Sequence, residues 1–479
     1  MPFSSLLFLS GFLPAFLAAY YLAPTRAKNA VALLFSIGFY LWGAPTFLPV
    51  VLFLGVLDYS LGHAVARAPT PRRKRAFVAA GIVVHLSTLA YFKYANFFVA
   101  EATQLLAALG VHHTVGWDPV VLPIGISFIT FEEISYLVDV YRGDARPARS
   151  LPQYLLFLML FPHSIAGPIF RWKDLEAQLA SRNHDLDRVV AGFGRFSIGL
   201  AKKVLIANSV AVAADAAFAQ QPGTLTARLA WLGAAAYTLQ IYFDFSGYSD
   251  MAIGLGRMAG FTFKENFDFP YTSASITEFW TRWHISLSTW LRDYLYIPLG
   301  GNRGSARRTL LNVFVVFLLS GFWHGADWTF VVWGAYHGAW VVLERLPRVA
   351  ALQARLPRLM RVALTLLVVM VGWVFFRSTS LGGALGFVGA MFGGGSAPAA
   401  DAALTGQFLS HRTAAMLVLG AVIALFPAFR PDIRTGPLEA TLDTRRGWLI
   451  AAGLVPVCLV LSIAYLTNSK FSPLIYFKF

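Results

Sequence analysis

The stretch Ile276–His337 reads ITEFWTRWHISLSTWLRDYLYIPLGGNRGSARRTLLNVFVVFLLSGFWHGADWTFVVWGAYH. It contains three histidines, six tryptophans, a basic glycine-rich turn and two apolar runs. His284 falls on the apolar side of a helical pattern, and His324 stands between the two apolar runs. Ionisable side chains cost free energy in membrane-like sequence, so both histidines are candidates for a functional site.

The composition of the whole chain indicates a membrane protein. The 479 residues are 57% hydrophobic and 13% charged, whereas soluble domains carry roughly 25% charged residues. The apolar runs, about 17–25 residues long, suit membrane helices and lack the alternation of a transmembrane barrel. We therefore predict one all-α polytopic membrane domain over residues 1–479. It would contain about 11–13 membrane helices, counting re-entrant and interfacial ones.

The net charge of +15 has a topological explanation. Lys and Arg are concentrated in short loops between apolar runs, as the positive-inside rule requires, so the charge does not indicate nucleic-acid binding. The basic loops, Arg72–Arg75 and Arg345–Arg361 among them, are predicted to be cytoplasmic, with both chain termini outside. No basic residue precedes the first run, Pro2–Leu22, which we interpret as an uncleaved span.

The sequence offers little support for metal or cofactor chemistry. The one cysteine, Cys458, lies in an apolar run, so neither a disulfide framework nor a cysteine-rich metal site is supported. The spacing of His284, His324 and His337 matches no metal-binding motif. No nucleophile elbow, P-loop or dinucleotide fingerprint stands in a supporting context. We predict no bound metal or cofactor.

The helical pattern places the candidate residues. Ile276–Leu291 is predicted to be one amphipathic helix that lies at the cytoplasmic interface or dips inward. The runs Thr309–Phe322 and Thr329–Leu343 are each shorter than a full span, which would place His324 within the membrane. His337 lies deep in the second run, where we favour a packing or hydrogen-bonding role.

Three further polar residues are predicted to line a cavity. His163 lies in Phe161–Pro168, where two prolines and a glycine break a membrane-like helix. Broken backbone at that depth is tolerated where it lines a cavity. Asp244 lies at the end of the apolar run Leu229–Phe245 and Asp250 follows that run, and each is predicted to have either a cavity-lining or a structural role.

The residues alone leave two function classes open. In an acyltransferase, a histidine would activate a hydroxyl while a basic rim holds a phosphorylated donor. In a proton-coupled transporter, buried His and Asp would relay protons. His324 suits proton transfer or the stabilisation of a helix break equally well, and His284 by itself suits core packing.

Five motifs carry a resemblance to a known family. The segments Phe279–Tyr294 and Ser320–Trp328, with the spacing of their histidines, resemble the two signatures of the membrane-bound O-acyltransferase family. Leu122–Phe128, Tyr242–Asp250 and Trp333–Gly338 also match that pattern. The likeness is greatest to the bacterial branch that modifies alginate and teichoic acid.

The resemblance implies a helical bundle thinned at its centre by two funnels, with residues 122–343 as its core. It implies His324 as the catalytic base and His284 as a second active-site histidine. A cytoplasmic thioester, acetyl-coenzyme A or an acyl-carrier protein, would donate an acetyl group. The acceptor would be an alginate-like exopolysaccharide or a cell-wall polymer outside a bacterial inner membrane, modified with periplasmic or extracellular acetyltransferase partners. D-alanyl transfer to teichoic acid is the alternative within the family.

Two further assignments follow from the resemblance. Arg303, Arg307 and Arg308 are candidates for binding the phosphates of the donor, although positive-inside charge explains them equally well. The chain ends in an aromatic tail like those of several bacterial relatives. Tyr476 in that tail is therefore a candidate acyl relay, with an interfacial aromatic anchor as its alternative role.

Overall fold

The computed structural model describes residues 1–111, 116–164, 167–220, 224–393, 409–429 and 445–468, with backbone only at 445–451. Within these ranges the chain is helical, and its only β pairing is an isolated bridge between Phe267 and Trp283. Backbone contacts divide the chain into two units. The first comprises Met1, Leu7–Asp185 and Ala259–Phe261; the second comprises Pro2–Leu6, Leu186–Met258 and Thr262–Phe479.

The first unit contains eight described α-helices. They are α1 (Leu13–Leu22), α2 (Lys28–Gly43), α3 (Leu48–Arg67), α4 (Pro71–Leu89), α5 (Ala95–Ala108), α6 (Ile126–Arg142), α7 (Leu151–Met159) and α8 (Trp172–Ala180). The helix break predicted near Pro162 is present, because α7 ends at Met159. Phe161 follows the break and packs against Phe12 and Phe16, with ring centroids 5.2 and 5.0 Å away.

The second unit contains twelve described α-helices. They are α9 (Leu186–Ala201), α10 (Asn208–Phe218), α11 (Ala227–Met258), α12 (Ile276–Arg282), α13 (Ile285–Leu291), α14 (Ala306–His324), α15 (Trp328–Glu344), α16 (Pro347–Arg355), α17 (Arg358–Arg377), α18 (Leu381–Met391), α19 (His411–Phe429) and α20 (Arg445–Asn468). A π-helical turn, Lys202–Ala207, joins α9 to α10. α11 is longer than the predicted run and contains the Tyr242–Asp250 motif within the helix.

The helices confirm a polytopic all-α membrane protein. Among the described residues, six helical segments are long and apolar enough to cross a membrane. They are Pro45–Arg67, Pro71–Ala108, Leu186–Phe218, Ala306–His324, Arg358–Arg377 and His411–Phe429. Three shorter apolar helices are Phe8–Leu22, Leu381–Met391 and Ala452–Asn468. The number of membrane helices predicted from the sequence is larger because it also includes re-entrant and interfacial helices, which need not be long enough to cross a membrane.

Glycines bring α9 and α11 into backbone contact. A Cβ on Gly199 would lie 2.5 Å from the carbonyl oxygen of Gly247, and one on Gly247 would lie 2.7 Å from that of Gly199. Gly192 of α9 and Gly254 of α11 face each other in the same way. A Cβ on Gly192 would lie 2.7 Å from the carbonyl oxygen of Gly254, and one on Gly254 would lie 2.5 Å from that of Gly192. Real Cβ atoms do not approach a carbonyl so closely, so only glycine permits this crossing.

A second pair of glycines, Gly256 and Gly260, has a different environment. Gly256 and Gly260 have the spacing of small residues that allow helices to approach each other. Gly256 instead lies under the ring of Phe263, and Gly260 adopts a positive φ of 81° after α11 has ended. The spacing was a wrong guide because it does not report which face of α11 meets another helix.

Candidate functional site

His324 is the last residue of α14 and lies at the tip of the hairpin that α14 forms with α15. α14 has 19 residues, or about 28 Å at 1.5 Å per residue, so it is not the short run predicted from the sequence. Gly321 allows the two helices to meet: a Cβ there would lie 2.3 Å from the carbonyl oxygen of Phe330 and 2.8 Å from the Cα of Gly334.

The ring of His324 is held among aromatic side chains and is 8% exposed. Its centroid lies 4.9 Å from that of Trp323, 5.2 Å from that of Trp333 and 5.2 Å from that of Phe376. These three aromatic neighbours belong to α14, α15 and α17, respectively. Bulky, rigid neighbours restrict the imidazole to a narrow range of orientations, which is what a proton acceptor needs if it is to meet one substrate atom.

His284 interrupts the helix that the sequence predicts. The prediction of a single amphipathic helix over Ile276–Leu291 is wrong, because α12 ends at Arg282. His284 adopts the left-handed backbone region, with φ 47° and ψ 53°. Such a conformation is costly for a residue other than glycine, and surrounding contacts must maintain it. The Ile285 N–H donates to the carbonyl oxygen of Asn266 (3.0 Å), and Phe267 pairs with Trp283.

The imidazole of His284 is 1% exposed and has two different ring nitrogens. Nδ1 lies 3.2 Å from Oδ1 of Asn266. Nε2 is buried and has no hydrogen-bond partner among the described residues. The edge of the ring meets Phe245 on α11, with centroids 4.8 Å apart. A buried nitrogen without a partner is unfavourable unless a ligand or water completes it, so Nε2 is the atom that can meet a substrate.

His337 sits in the middle of α15 among aromatic rings. Its centroid lies 5.1 Å from that of Trp280 and 5.1 Å from that of Trp333. A Cβ on Gly372 of α17 would lie 2.4 Å from Nε2 of His337. Neither ring nitrogen has a hydrogen-bond partner among the described residues, so of the two roles favoured from the sequence these contacts support packing.

One aromatic cluster links the two histidine motifs. Trp283, next to His284, lies 4.8 Å from Trp373, and Trp373 stacks on Trp333 at 6.1 Å. Trp333 in turn contacts His324. The sequence placed the two histidines forty residues apart on different helices; the tertiary structure attaches both to the same rigid core.

The three arginines assigned to the donor lie at the surface. Arg303, Arg307 and Arg308 are exposed, and Arg308 donates to the carbonyl oxygen of Leu299 at 3.4 Å. A cavity of about 260 Å³ lies between α12, α13, α14 and α15, and none of the three lines it. Its lining residues include Trp280, Ser320, Arg292 and Arg345.

Of the three predicted cavity-lining residues, Asp250 does line a cavity in the second unit. Its volume is about 420 Å³, and Asn266, the partner of His284, is also part of its wall. The Asp250 carboxylate pairs with Arg195 and Lys202, both at 2.6 Å. Asp244 is buried, pairs with Lys203 and does not line this cavity.

His163 lies in the first unit, where ionisable groups are buried on several helices. Its Nδ1 is 2.9 Å from Oε1 of Glu132. His85 of α4 lies between two carboxylates, with Nε2 2.7 Å from Asp58 and Nδ1 2.8 Å from Glu133. Asp58, His85 and Glu133 could offer ligands to a metal ion. Both ring nitrogens of His85 already face carboxylates, so we interpret Asp58, His85 and Glu133 as an ion-pair network. The signal for this network in the sequence is the presence of Asp58 and His85 inside apolar runs.

Tyr476 lies outside the described residues. Sequence reasoning did not single out Asn266 or Ser286, which contact His284. Nothing in the sequence alone points to Asn266, because it precedes His284 by eighteen residues and lies in a loop.

Comparisons with known proteins agree with the motifs. The membrane-bound O-acyltransferase family model matches residues 145–381. The chain is 44% identical to the "Probable alginate O-acetylase AlgI" of Azotobacter vinelandii, over 100% of both chains. It is 30% identical to the peptidoglycan O-acetyltransferase of Helicobacter pylori, over 100% of this chain and 97% of that relative. It is also 28% identical to the teichoic acid D-alanyltransferase of Bacillus subtilis, over 45% of this chain and 56% of that relative.

The matched residues contain both histidine motifs and the hairpin that carries His324. The helices described above are those of a multi-pass membrane protein. The full-length relatives extend the match beyond the residues of the family model. This chain belongs to the membrane-bound O-acyltransferase family and is a membrane O-acyltransferase.

Proposed function

We propose that this protein takes an acetyl group from a cytoplasmic thioester and passes it across the membrane for O-acetylation of an alginate-like exopolysaccharide or a cell-wall polymer. The observation that carries the proposal is the full-length similarity to AlgI. The acetyl-transferring Helicobacter pylori relative supports the same acyl group on a different polymer. D-alanyl transfer has support over less than half of the chain.

The chemistry assigns the two histidines separate roles. Neutral His324 takes the proton of the acceptor hydroxyl, and the hydroxyl oxygen attacks the thioester carbonyl carbon. The carbon–sulfur bond then breaks, the acetyl group stays on oxygen as an ester, and the thiolate leaves and acquires a proton. General-base catalysis contributes about 10²–10⁴-fold. His284 either orients the donor or stabilises the oxyanion.

The proposal includes a bacterial inner-membrane location with both termini outside, one functional domain, and periplasmic or extracellular acetyltransferase partners. The donor is acetyl-coenzyme A or an acyl-carrier protein. Arg303, Arg307 and Arg308 remain candidates for its phosphates, because their exposure leaves them accessible to a large cytoplasmic donor. Asp244 and Asp250 are proposed to support the site by pairing rather than by contact with the substrate. His163 remains a candidate for lining a cavity within the first unit.

Deleting the gene for this chain in its native host is expected to remove O-acetyl esters from one envelope or secreted polymer. Expression of the intact chain should restore them. Acetyl and D-alanyl esters released by mild alkali can be measured by chromatography in the same samples. A loss of D-alanyl esters alone would select the alternative transfer. If both ester contents were unchanged while proton-dependent solute uptake fell, the transporter class would replace the proposal.

A Tyr476→Phe substitution tests the relay. If the phenol oxygen carries the acetyl group, phenylalanine cannot form the ester, and polymer acetylation should fall to the level of the deletion strain. An aromatic anchor would be preserved by phenylalanine. Acetylation at the wild-type level in the Tyr476→Phe strain, with equal amounts of protein in the membrane, would therefore exclude the relay.

A further inference from the structure

Asn266 is the residue whose side chain contacts Nδ1 of His284. It is fully buried in the loop between α11 and α12. Its Oδ1 lies 2.8 Å from Oγ of Ser286, 3.2 Å from the backbone nitrogen of Ser286 and 3.2 Å from Nδ1 of His284. Its Nδ2 donates to Oγ of Ser249 on α11, at 3.2 Å. The side-chain oxygen of Asn266 therefore contacts both His284, at the helix break, and Ser286, in the first turn of α13.

The hydrogen-bond pattern identifies which atom of the amide faces His284. The backbone N–H of Ser286 can only donate, so the atom it meets must be the amide oxygen and not the NH₂ group. An amide oxygen can only accept. Nδ1 of His284 lies 3.2 Å from that oxygen and 3.5 Å from Oγ of Ser286. The Ser286 hydroxyl donates its hydrogen to the amide oxygen at 2.8 Å, so both neighbours of Nδ1 are acceptors and Nδ1 carries a hydrogen. In a neutral imidazole the other nitrogen, Nε2, is left with a lone pair.

We infer that Asn266 is a positioning residue that holds His284 in the Nδ1–H tautomer, so that the buried Nε2 accepts a proton or a hydrogen bond from the substrate. The inference rests on the proposed function for the identity of that substrate. It selects between the two roles left for His284. A neutral ring with a lone pair on Nε2 cannot donate to an oxyanion, whereas it can accept from an N–H or O–H group of the donor or the acceptor.

The left-handed backbone of His284 belongs to the same arrangement. The Ile285 N–H donates to the carbonyl oxygen of Asn266 while the side chain of Asn266 accepts from Nδ1. Asn266 thus fixes the backbone break and the ring together. The edge contact of Phe245 limits rotation of the ring. With Nδ1 satisfied, Nε2 is the ring nitrogen available for chemistry.

Nitrogen NMR on the full-length protein in detergent micelles tests the tautomer directly. The sample is labelled with ¹⁵N-histidine, and the His284 signals are identified by their disappearance in His284→Gln. We expect a protonated Nδ1 and an unprotonated Nε2 in the wild type near neutral pH. A wild-type signal with hydrogen on Nε2 would overturn the inference, whatever the protein acetylates.

Three variants test the role of Asn266. Asn266→Ala should lose the Nδ1–H preference, whereas Asn266→Asp should keep it because a carboxylate oxygen still accepts from Nδ1. Ser249→Ala, which removes only the contact of Nδ2, should leave the tautomer unchanged. Orienting partners of metal-bound histidines cost about 10–100-fold when removed, and we expect Asn266→Ala to lower polymer acetylation by a similar factor, with Asn266→Asp retaining more activity.

The results separate the inference from the proposed function. An unchanged tautomer in Asn266→Ala would contradict the positioning role. If Asn266→Ala does not accumulate, the wild-type and Asn266→Asp spectra still decide the tautomer. The predicted tautomer in a protein that acetylates no polymer would keep the inference and reject the proposed function.

Discussion

Replacing His324 by alanine is expected to lower polymer O-acetylation by about 10²–10⁴-fold, the range of general-base catalysis. The imidazole lies at the end of α14 between Trp323, Trp333 and Phe376, where its orientation is restricted. Loss of the ring removes the group that we propose takes the hydroxyl proton, and an imidazole suits that step near neutral pH. O-acetyl esters per polymer residue, measured in a deletion strain that expresses each variant, give the effect.

Two further variants make this experiment specific. His324→Gln keeps a polar side chain of similar length but has no basic nitrogen, so it should be as inactive as His324→Ala. His411 is an exposed histidine at the start of α19, and His411→Ala should behave as the wild type. All variants are compared at equal amounts of protein in the membrane. Full acetylation by His324→Ala would contradict the assignment of the base.

Replacing Gly199 by alanine is expected to destabilise the second unit, because the new methyl group would lie 2.5 Å from the carbonyl oxygen of Gly247. That atom belongs to the backbone of a buried helix and cannot rotate away. Overpacking costs about 1–3 kcal/mol even where side chains can adjust, so we expect at least this loss at a backbone contact. Gly247→Ala should have an effect of the same size, because the contact is mutual.

The matched control lies on the same helix. A Cβ on Gly194 would meet only Val455, at an ordinary 3.6 Å. Gly194→Ala should therefore be neutral or stabilising, since alanine is about 1 kcal/mol better than glycine in a helix. Thermal unfolding in detergent, followed by size-exclusion chromatography, compares the three variants. Equal stability of Gly199→Ala and Gly194→Ala would show that α9 and α11 are not as close as the structure places them.

Two features were predictable because they depend on local sequence. Apolar runs of membrane length and basic loops predict an all-α polytopic protein, and the described helices confirm it. The motifs around His284 and His324 predict the family, which the full-length relatives confirm. Both signals lie in residue type and spacing along the chain, and neither requires knowledge of which helices meet.

The sequence by itself therefore determined the fold class and the family, and it supplied the prediction that His284 and His324 belong to the active site. Only the tertiary structure decided that the helix breaks at His284, that Asn266 faces its Nδ1, and that Gly199 meets Gly247. Periodicity describes a helix as if it were isolated. The left-handed backbone of His284 is unfavourable locally and is maintained by hydrogen bonds from a residue eighteen positions away, which no local pattern contains.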